Sequence, residues 1–354
     1  MQYVCKSWWS ILKNTSSQLP LLMMLPNKEE EEEEEDKDAR NFFSLSKKKI
    51  HTVHLPEIRG KRCCGSFKNG WLMIIDEKLD IFLFHPWFKR RIDLPHQSTF
   101  TDQNYVGSTG EEIRDLEIHK TALSDDGNMV VIAYGLGYLA FCRIGDDAYT
   151  HVEDLVFIAD VIYHKGKFYA LSRAAAVYLL HVDEGSHPYV EELTENLINV
   201  IPYQIFGYLV PDILTDSMLV VIRDVQHIQE GFDINEEDLP HKTMGADIFM
   251  VNLEEGEHYK TLKKYTQVES LGDRVLFLGY NSPMVVMASQ FPGLKGNHIY
   301  FADNMIESYV FSPYGCSDIG ILSLADGTFE QLFADRFHPI LSPPLWIAAT
   351  PYSS

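Results

Sequence analysis

Four similar segments recur along the chain and restrict the folds that it can adopt. Each has an apolar run, an acidic turn that usually contains glycine, and a second run that ends at leucine. Because alternate residues of such a segment can face a core, and acidic residues and glycine suit a tight reversal, each segment predicts a β-hairpin. The four segments are Phe141–Leu155, Tyr178–Leu193, Ile248–Leu262 and Ile319–Leu332.

The spacing of these hairpins predicts a repeated structural unit. Their turns are separated by 37, 71 and 71 residues, which we interpret as one, two and two units of about 36 residues. Glycine-led strands rich in aromatic residues precede the hairpins, so that each unit contains about four strands. The turn positions are Asp147, Glu184, Glu255 and Asp326, and the preceding strands are Lys165–Leu171, Gly272–Leu278 and Lys295–Phe301.

A four-stranded unit repeated at this period is typical of a propeller blade. The fold predicted for the chain is therefore all-β, a β-propeller of about six to eight four-stranded blades with a short helical segment at the N-terminus. Because the repeat is degenerate, a large β-sandwich is the structural alternative.

The charge of the chain limits its partners. The formal net charge of the 354 residues is −21, of which the run from Glu29 to Asp38 supplies −8 and the remaining residues −13. Such a surface repels phosphate backbones and anionic lipids, which argues against direct binding of nucleic acid or membrane. A protein or small-molecule partner is expected instead. The acidic run itself is interpreted as a solvated, disordered loop.

Cysteine usage indicates a reducing compartment. There are five cysteines, an odd number without a CxxC motif, and this predicts free thiols rather than a disulfide framework. Cys63 and Cys64 are adjacent, and neighbouring residues of a strand point to opposite faces, which argues against a shared metal. The apolar run Leu19–Leu25 is too short to span a bilayer. We therefore expect an intracellular protein of the nucleus, the cytoplasm or both.

The sequence offers no constellation typical of catalysis. The GxG of Gly135–Tyr138 lacks a third glycine and a following helix, so it is interpreted as a turn at a strand end. His51 and His54 stand at a spacing that places them on opposite faces of a strand. Acid pairs such as Asp125 and Asp126, or Asp146 and Asp147, fall at predicted hairpin turns. No catalytic, cofactor-binding or metal-binding residue is predicted, and no cofactor is expected.

Two tryptophans could in principle be binding residues. Trp71 follows Gly70 in a strand-like segment, and we expect it to be buried within a blade rather than to line a cleft. Trp346 follows two prolines and is expected to pack the last strand where the ring of blades closes.

The first residues form an amphipathic pattern. Val4, Cys5, Trp8 and Leu12 stand at helical spacing and would form one apolar stripe. A single helix of this length is marginal in water, so the stripe is expected to face a partner or a second helix.

These segments resemble a known family when they are taken together. VCKSWWSIL at residues 4–12 resembles the closing helix of an F-box, and LPLLMMLP at residues 19–26 resembles the linker that follows it in plant F-box proteins with a C-terminal KIB-type β-propeller. Further similarity covers the opening and closing blades of that propeller. It includes Phe43–Glu77, His85 and Pro86, Ile92–Pro95, Gly296–Asn304, Asp318–Leu332 and Ser342–Ile347.

The resemblance implies the substrate receptor of an SCF-type ubiquitin ligase, not an enzyme in itself. In such a receptor the F-box docks on the Skp adaptor, and the loops of the propeller hold a protein target. The implied division is an F-box remnant at residues 1–15, a linker with the acidic run at 16–40, and the propeller at 41–354. Only the last F-box helix is matched, with Val4, Cys5, Trp8 and Leu12 as candidate adaptor-facing residues. The alternatives are a propeller hydrolase or lyase with a site in its channel, and a nonfunctional truncated paralogue.

Overall fold

The computed structural model describes residues 19–24, 38–100, 118–153, 155–182, 188–198, 206–227, 241–253, 264–302, 318–333 and 343–348. Within these ranges the chain forms 25 strands in six sheets, together with short 3₁₀ turns at Pro56–Ile58, Gln97–Thr99 and Ala288–Gln290. The sheets are the six blades of a β-propeller, which confirms the predicted all-β fold and gives the lowest of the blade numbers expected.

The first three blades follow one another in the chain, starting at the blade in which the ring closes. The strands of each blade are given in spatial order, from the innermost to the outermost. Blade 1 contains β25 (Leu345–Ile347), β1 (Leu21–Met24), β2 (Ala39–Ser44) and β3 (Lys49–His54). Blade 2 contains β4 (Arg62–Ser66), β5 (Leu72–Ile75), β6 (Ile81–His85) and β7 (Arg90–Asp93). Blade 3 contains β8 (Ile118–Leu123), β9 (Met129–Tyr134), β10 (Tyr138–Arg143) and β11 (Thr150–Val152).

The other three blades follow in chain order. Blade 4 contains β12 (Ile158–His164), β13 (Lys167–Ser172), β14 (Val177–His181) and β15 (Tyr189–Glu192). Blade 5 contains β16 (Phe206–Pro211), β17 (Ser217–His227), β18 (His241–Asn252) and β19 (Tyr265–Gln267). Blade 6 has five strands, namely β21 (Met284–Met287), β20 (Arg274–Leu278), β22 (His298–Phe301), β23 (Gly320–Ser323) and β24 (Phe329–Gln331).

Apolar residues occupy both faces of the inner strands because every blade is packed between two others. In β9, Val130 and Ile132 belong to the core shared with blade 2, whereas Val131 and Ala133 belong to the core shared with blade 4. The strand therefore reads as a continuous apolar run, as is usual for strands buried on both faces. Outer strands such as β7 are mostly exposed and polar.

Six apolar cores join the blades, one between each neighbouring pair. Cys63 lies in the core between blades 1 and 2, and Cys64 in the core between blades 2 and 3. The expectation that the adjacent cysteines point to opposite faces is confirmed. Because the cores form a complete circuit, blades 4, 5 and 6 are direct neighbours.

The ring closes inside blade 1, where β25 pairs antiparallel with β1 and Leu22 lies opposite Trp346. Trp346 is fully buried, as predicted for a tryptophan at the closure. The segment Leu21–Met24, assigned to a linker from the sequence, is instead a buried strand of the propeller. The apolar side chains of this segment fill the cores on both sides of blade 1, which explains a composition that a solvated linker does not need.

The four predicted hairpins are the outer strand pairs of blades 3, 4, 5 and 6. Three of the hairpins are confirmed; in the third predicted segment, Ile248–Leu262, the second strand is instead Tyr265–Gln267, beyond that segment. The unit of about 36 residues is wrong as a uniform blade length. Each gap of 71 residues spans one blade, since the cores leave no place for another. Turn residues Asp147 and Asp326 lie between the predicted strands, whereas Glu184 and Glu255 lie outside the described residues.

Blade 6 departs from the regular order. Strand β20 pairs antiparallel with β21 but parallel with β22, so the chain leaves β20, turns through the centre of the ring and returns as the innermost strand β21. The predicted strands Gly272–Leu278 and Lys295–Phe301 are therefore neighbours in one sheet.

The two faces of the propeller carry different loops. The turns that follow the innermost strands, such as β4–β5, β8–β9, β12–β13 and β16–β17, lie together on one face, which we call the cavity face. The turns between second and third strands lie on the opposite face. Leu21 of β1 pairs with Ile347 at the C-terminal end of β25.

Candidate functional site

The centre of the ring is filled by protein. The segment Gly279–Ser282, which joins β20 to β21, hydrogen-bonds to the innermost strands of two other blades. The Ser282 N–H donates to the carbonyl of Ser66 over 2.7 Å, and Lys120 Nζ donates to the carbonyl of Gly279 over 2.5 Å. Asn281 is 2 % exposed. This segment therefore closes the channel at the level of Ser66 and Lys120.

A buried ion pair lies beside this closure. Lys120 Nζ of β8 is 3.3 Å from Asp160 Oδ1 of β12, and both side chains are almost wholly buried. Asp160 also accepts hydrogen bonds from the backbone N–H groups of Leu209 (2.8 Å) and Val161 (2.9 Å). Burial lowers the pKa of Lys120 and raises the pKa of Asp160, and their mutual attraction opposes both shifts. The pair joins three blades and is not accessible to a substrate.

The described ranges contain no group of three or more His, Cys, Asp or Glu side chains placed to hold a metal ion. His51 and His54 lie on the outer strand β3 of blade 1. Gly135–Tyr138 forms the turn between β9 and β10, as predicted, and Gly137 has a φ of +98°. None of these features contributes to a site.

A cavity of about 500 Å³ opens on the cavity face over the closed channel. Blade 2 supplies most of one wall and the β8–β9 turn of blade 3 supplies the other. Pro211 of blade 5 and Pro283 of blade 6 contribute to the floor near the centre. Prolines at these strand ends fix the backbone dihedral φ, so the central rim has few conformational states.

Aromatic rings form the wall on blade 2. The His85 ring contacts Trp71 edge-on at 5.2 Å between centroids, Phe88 at 4.5 Å and Trp87 at 5.8 Å. Trp71 and Phe88 are half-buried and line the cavity. Gly70, with a φ of +83°, reverses the chain against His85 and so brings Trp71 to the cavity edge. Trp71 packs against the core between blades 2 and 3, as expected, but it is only half-buried because this turn places it at the end of the strand.

His85 is neutral within this wall. Burial lowers the pKa of His85 to about 4, partly opposed by the nearby backbone carbonyl of Asn69. The side chain is 4 % exposed. The aromatic wall therefore carries no histidine charge at neutral pH.

The β8–β9 turn forms the acidic wall. Asp126 accepts hydrogen bonds from Ser124 Oγ (2.5 Å), the Asn128 N–H (3.1 Å) and Asn128 Nδ2 (3.0 Å). These bonds lower the pKa of Asp126, and they confirm that the carboxylate stabilises a turn. Asp125 is exposed at the same turn, and within the described residues it makes no hydrogen bond or ion pair.

Two more turns of the cavity face are held by charged side chains. Lys165 of the β12–β13 turn pairs with Asp216 of the β16–β17 turn. Asp212, 4 % exposed, accepts from Thr215 Oγ1 (2.8 Å) and lies 2.8 Å from Arg274 Nη1 of blade 6. The pKa of Asp212 is lowered because these hydrogen bonds outweigh the effect of its burial. The turns of neighbouring blades are thus fixed relative to each other.

A second cavity of about 600 Å³ lies between blades 3 and 4 on the same face. It shares Ser124, Asp126 and Tyr163 with the first cavity, so the two adjoin across the β8–β9 turn. Its outer part is lined by Arg143 and Lys167. Together the cavities form one groove that runs outward from the centre of the ring.

The residues predicted to face an adaptor, Val4, Cys5, Trp8 and Leu12, lie outside the described residues. The groove was missed by the sequence analysis, in which only Trp71 and the pair Asp125 and Asp126 were considered, and all three were assigned structural roles. The available signal was the proximity of Gly70 to Trp71, since a glycine reversal at a strand end exposes the residue after it. In the described part of the chain, no helix is both long and apolar enough to cross a membrane.

Comparison with known proteins agrees with the fold. The family model described as KIB1-4 beta-propeller matches residues 42–323. F-box protein At4g35733 of Arabidopsis thaliana is 24% identical over 71% of this chain and 63% of its own length, so the chain spans less than two thirds of that relative. F-box protein At2g26160 of the same plant is 26% identical over 75% of this chain and 83% of its own length.

Among solved structures, TolB from Acinetobacter baumannii aligns over 96% of this chain and 69% of its own, with 10% identity and a TM-score of 0.45, which is too low to carry an argument. The family match extends over well more than half of the chain. The resemblance inferred from the sequence is thereby confirmed, and the chain belongs to the KIB1-4 beta-propeller family.

Proposed function

We propose that this protein is a non-catalytic recognition module that holds a protein target on the cavity face of its propeller. The observation that carries the proposal is the groove, a cavity of about 500 Å³ with half-buried aromatic side chains and an adjoining cavity of about 600 Å³. Partly exposed aromatic residues in a concave surface are typical of binding sites. The relatives are named F-box proteins, which supports a target-selecting role.

The rigidity of the surrounding turns supports the same role. The turns of blades 4, 5 and 6 are joined by Lys165 with Asp216 and by Asp212 with Arg274. A surface that is already ordered loses little conformational entropy when it binds.

The closed channel argues against the enzyme alternative. Lys120 and Asp160 at the centre are engaged with each other, and they are buried beside the Gly279–Ser282 segment. A hydrolase or lyase needs acid, base or nucleophile side chains that a substrate can reach. Within the described residues, the centre of the ring offers no such accessible set.

A role as the substrate receptor of an SCF-type ubiquitin ligase is the finer form of this proposal. Val4, Cys5, Trp8 and Leu12 are the proposed contacts with the Skp adaptor. These residues precede β1 in the chain, and the resemblance of residues 4–12 to the closing helix of an F-box supports the assignment.

Proximity labelling in plant cells tests the recognition role. We would compare the unaltered chain with a Trp71→Ala, Phe88→Ala variant and with a Leu136→Ala, Val156→Ala control. Leu136 and Val156 are exposed apolar residues on the opposite face, with 54% and 44% exposure. We expect a set of labelled proteins that the control retains and the cavity variant loses. Equal labelling by all three chains would contradict the proposal, and failure of the chain to accumulate would favour a nonfunctional product.

Adaptor binding needs its own experiment. The purified chain and a Trp8→Ala, Leu12→Ala variant would be tested for binding to the Skp adaptor by pull-down, with Ser10→Ala as the control. Binding that the double variant abolishes and Ser10→Ala retains would support the receptor role. If none of the three chains binds the adaptor, the ligase role is lost while target recognition remains open to the labelling test.

A further inference from the structure

The two walls of the first cavity differ in chemistry, and the difference indicates what kind of segment fits between them. Blade 2 presents the half-buried rings of Trp71 and Phe88, whereas the β8–β9 turn of blade 3 presents Asp125. Aromatic rings attract apolar side chains and also cations, and a carboxylate attracts cations. The cavity thus combines an apolar surface with a negative group.

Asp125 and Asp126 differ in what holds them. The Asp126 carboxylate accepts three hydrogen bonds from Ser124 and Asn128 within its own turn. Asp125 makes no such bond in the described part of the protein, so its carboxylate is exposed and able to accept bonds from a ligand. The Asp126 carboxylate therefore stabilises the turn, whereas the Asp125 carboxylate is exposed to a ligand.

His85 is a second and independent sign of a ligand. It lines the cavity, is 4 % exposed, and its Nδ1 atom has no hydrogen-bond partner among the described residues. A buried polar atom without a partner is uncommon in folded proteins, and binding sites are one place where it occurs. Because burial keeps His85 neutral, its ring does not repel a cation that enters the cavity.

Two positively charged side chains of blade 2, Arg90 and Lys68, also line the cavity. A positively charged ligand would therefore lie near them. The Arg90 guanidinium carbon lies 6.0 Å above the Phe88 ring, at the outer side of the aromatic wall. Asp125 attracts Lys68 and raises the pKa of that lysine, although burial lowers it more. Among the described residues the two form no ion pair, so a bound segment that places a positive group directly beside Asp125 makes a stronger interaction than Lys68 does.

The adjoining cavity indicates an extended ligand. Tyr163 and Ser124 line both cavities, so a chain seated beside Trp71 can continue across the β8–β9 turn toward blade 4. A small molecule would occupy one cavity only, whereas an extended peptide can occupy both. The formal net charge of −21 also favours the approach of a positive segment over a negative one.

We propose that the groove binds an extended peptide segment that packs an apolar or aromatic side chain against Trp71 and Phe88 and places a lysine or arginine beside Asp125. The inference rests on the proposed recognition function and specifies the chemistry of the target. The aromatic contact supplies most of the affinity, and the charge beside Asp125 supplies selectivity.

Selection from a display library of random nine-residue peptides tests the inference on the whole purified chain. The library would be selected on the unaltered chain and on Trp71→Ala, Asp125→Lys and Asp147→Lys. Asp147→Lys is the matched control, since Asp147 is an exposed acid on the β10–β11 turn of blade 3 and does not line either cavity. Far-ultraviolet circular dichroism and thermal unfolding would establish that each variant is folded.

We expect peptides selected on the unaltered chain to carry Lys or Arg at a fixed distance from an apolar residue. Trp71→Ala should weaken the binding of these peptides by about 30-fold, as for an aromatic hot spot. Asp125→Lys should weaken it about fivefold and should change the selected residue from Lys or Arg to Asp or Glu. Asp147→Lys should select the same peptides as the unaltered chain.

Two results would overturn the inference. A preference for basic residues that persists on Asp125→Lys would remove Asp125 from the site, and binding that survives Trp71→Ala would place the peptide elsewhere. In both cases the recognition function would stand, because peptides were still bound. Selection of no peptide, together with proximity labelling that does not depend on the cavity face, would contradict both proposals.

Discussion

Replacement of Lys120 by methionine tests whether the buried ion pair holds the centre of the ring together. At 3.3 Å from Asp160 and an effective dielectric constant of about 20, the attraction is about 5 kcal/mol. The variant also loses the hydrogen bond to the Gly279 carbonyl, whereas it no longer has to bury an ammonium group. Removal of one partner of a buried pair typically costs 3–5 kcal/mol. We expect a loss of about 3–5 kcal/mol in the free energy of unfolding.

Urea unfolding followed by tryptophan fluorescence measures this loss from the shift of the midpoint. A double-mutant cycle with Asp160→Asn isolates the pair, and we expect the double variant to lose about 2–3 kcal/mol less than the sum of the two single variants. The loss should also depend on pH. Without Lys120 the pKa of Asp160 rises further above its unfolded value, so the folded variant binds the proton more tightly. Its stability deficit should therefore shrink as the pH falls from about 7 to about 5.

The exposed pair of Lys165 with Asp216 is the matched control. It also joins two blades, but its side chains are 59% and 49% exposed, so Lys165→Met should cost far less than Lys120→Met. A Lys120→Met loss as small as that of Lys165→Met would refute the reasoning, as would a pH-independent deficit.

Three further predictions use the same unfolding assay or a thiol probe. Trp346→Ala should lower the free energy of unfolding by about 3–5 kcal/mol, because the fully buried ring leaves a cavity where the propeller closes; a loss below about 1 kcal/mol would contradict the assigned closure. Gly137→Ala should lower the free energy of unfolding by about 2 kcal/mol more than Gly127→Ala. Both glycines have a positive φ, but only at position 137 would the added Cβ meet backbone, at 2.3 Å. Equal losses for the two variants would contradict this prediction. Burial raises the pKa of Cys142 to about 12 and also raises the pKa of Cys63. Both thiols should therefore react with a maleimide only in urea. Modification of the native protein, detected by mass spectrometry of the peptides, would show that these cores open.

The outer hairpins were predictable because their signal is local. In Ile319–Leu332, for example, the apolar run, the Asp326 turn and the second run determine the hairpin without help from the rest of the chain. Blade length was not predictable, because it depends on the loops between strands, and their lengths vary freely without disturbing the cores. The strand Leu21–Met24 was missed because its partner β2 lies beyond the acidic run and its other partner β25 lies more than 300 residues away in the sequence.

The groove was harder to predict than the blades because it is assembled from different turns. Trp71, Asp125 and Pro283 are far apart in the chain, and only the closed ring brings them to one cavity. Each residue considered alone has an ordinary structural role, as a core tryptophan, a turn acid or a strand-end proline. The assignment of Asp126 to a turn was correct, because it accepts hydrogen bonds within that turn. In the described part of the chain, its neighbour Asp125 accepts none of these bonds.

The contrast between the centre and the cavity face explains how one scaffold can serve recognition. At the centre, Lys120 and Asp160 are held by groups of other blades, so a substitution of either disturbs several blades together. On the cavity face, Asp126 and Asp212 fix the backbone of their turns by contacts that do not involve the side chains of the exposed positions beside them. Residues such as Asp125 and Leu214 can therefore change without loss of the fold. For the recognition function proposed above, specificity would therefore be set by the exposed turn residues, whose positions are fixed by buried or hydrogen-bonded neighbours.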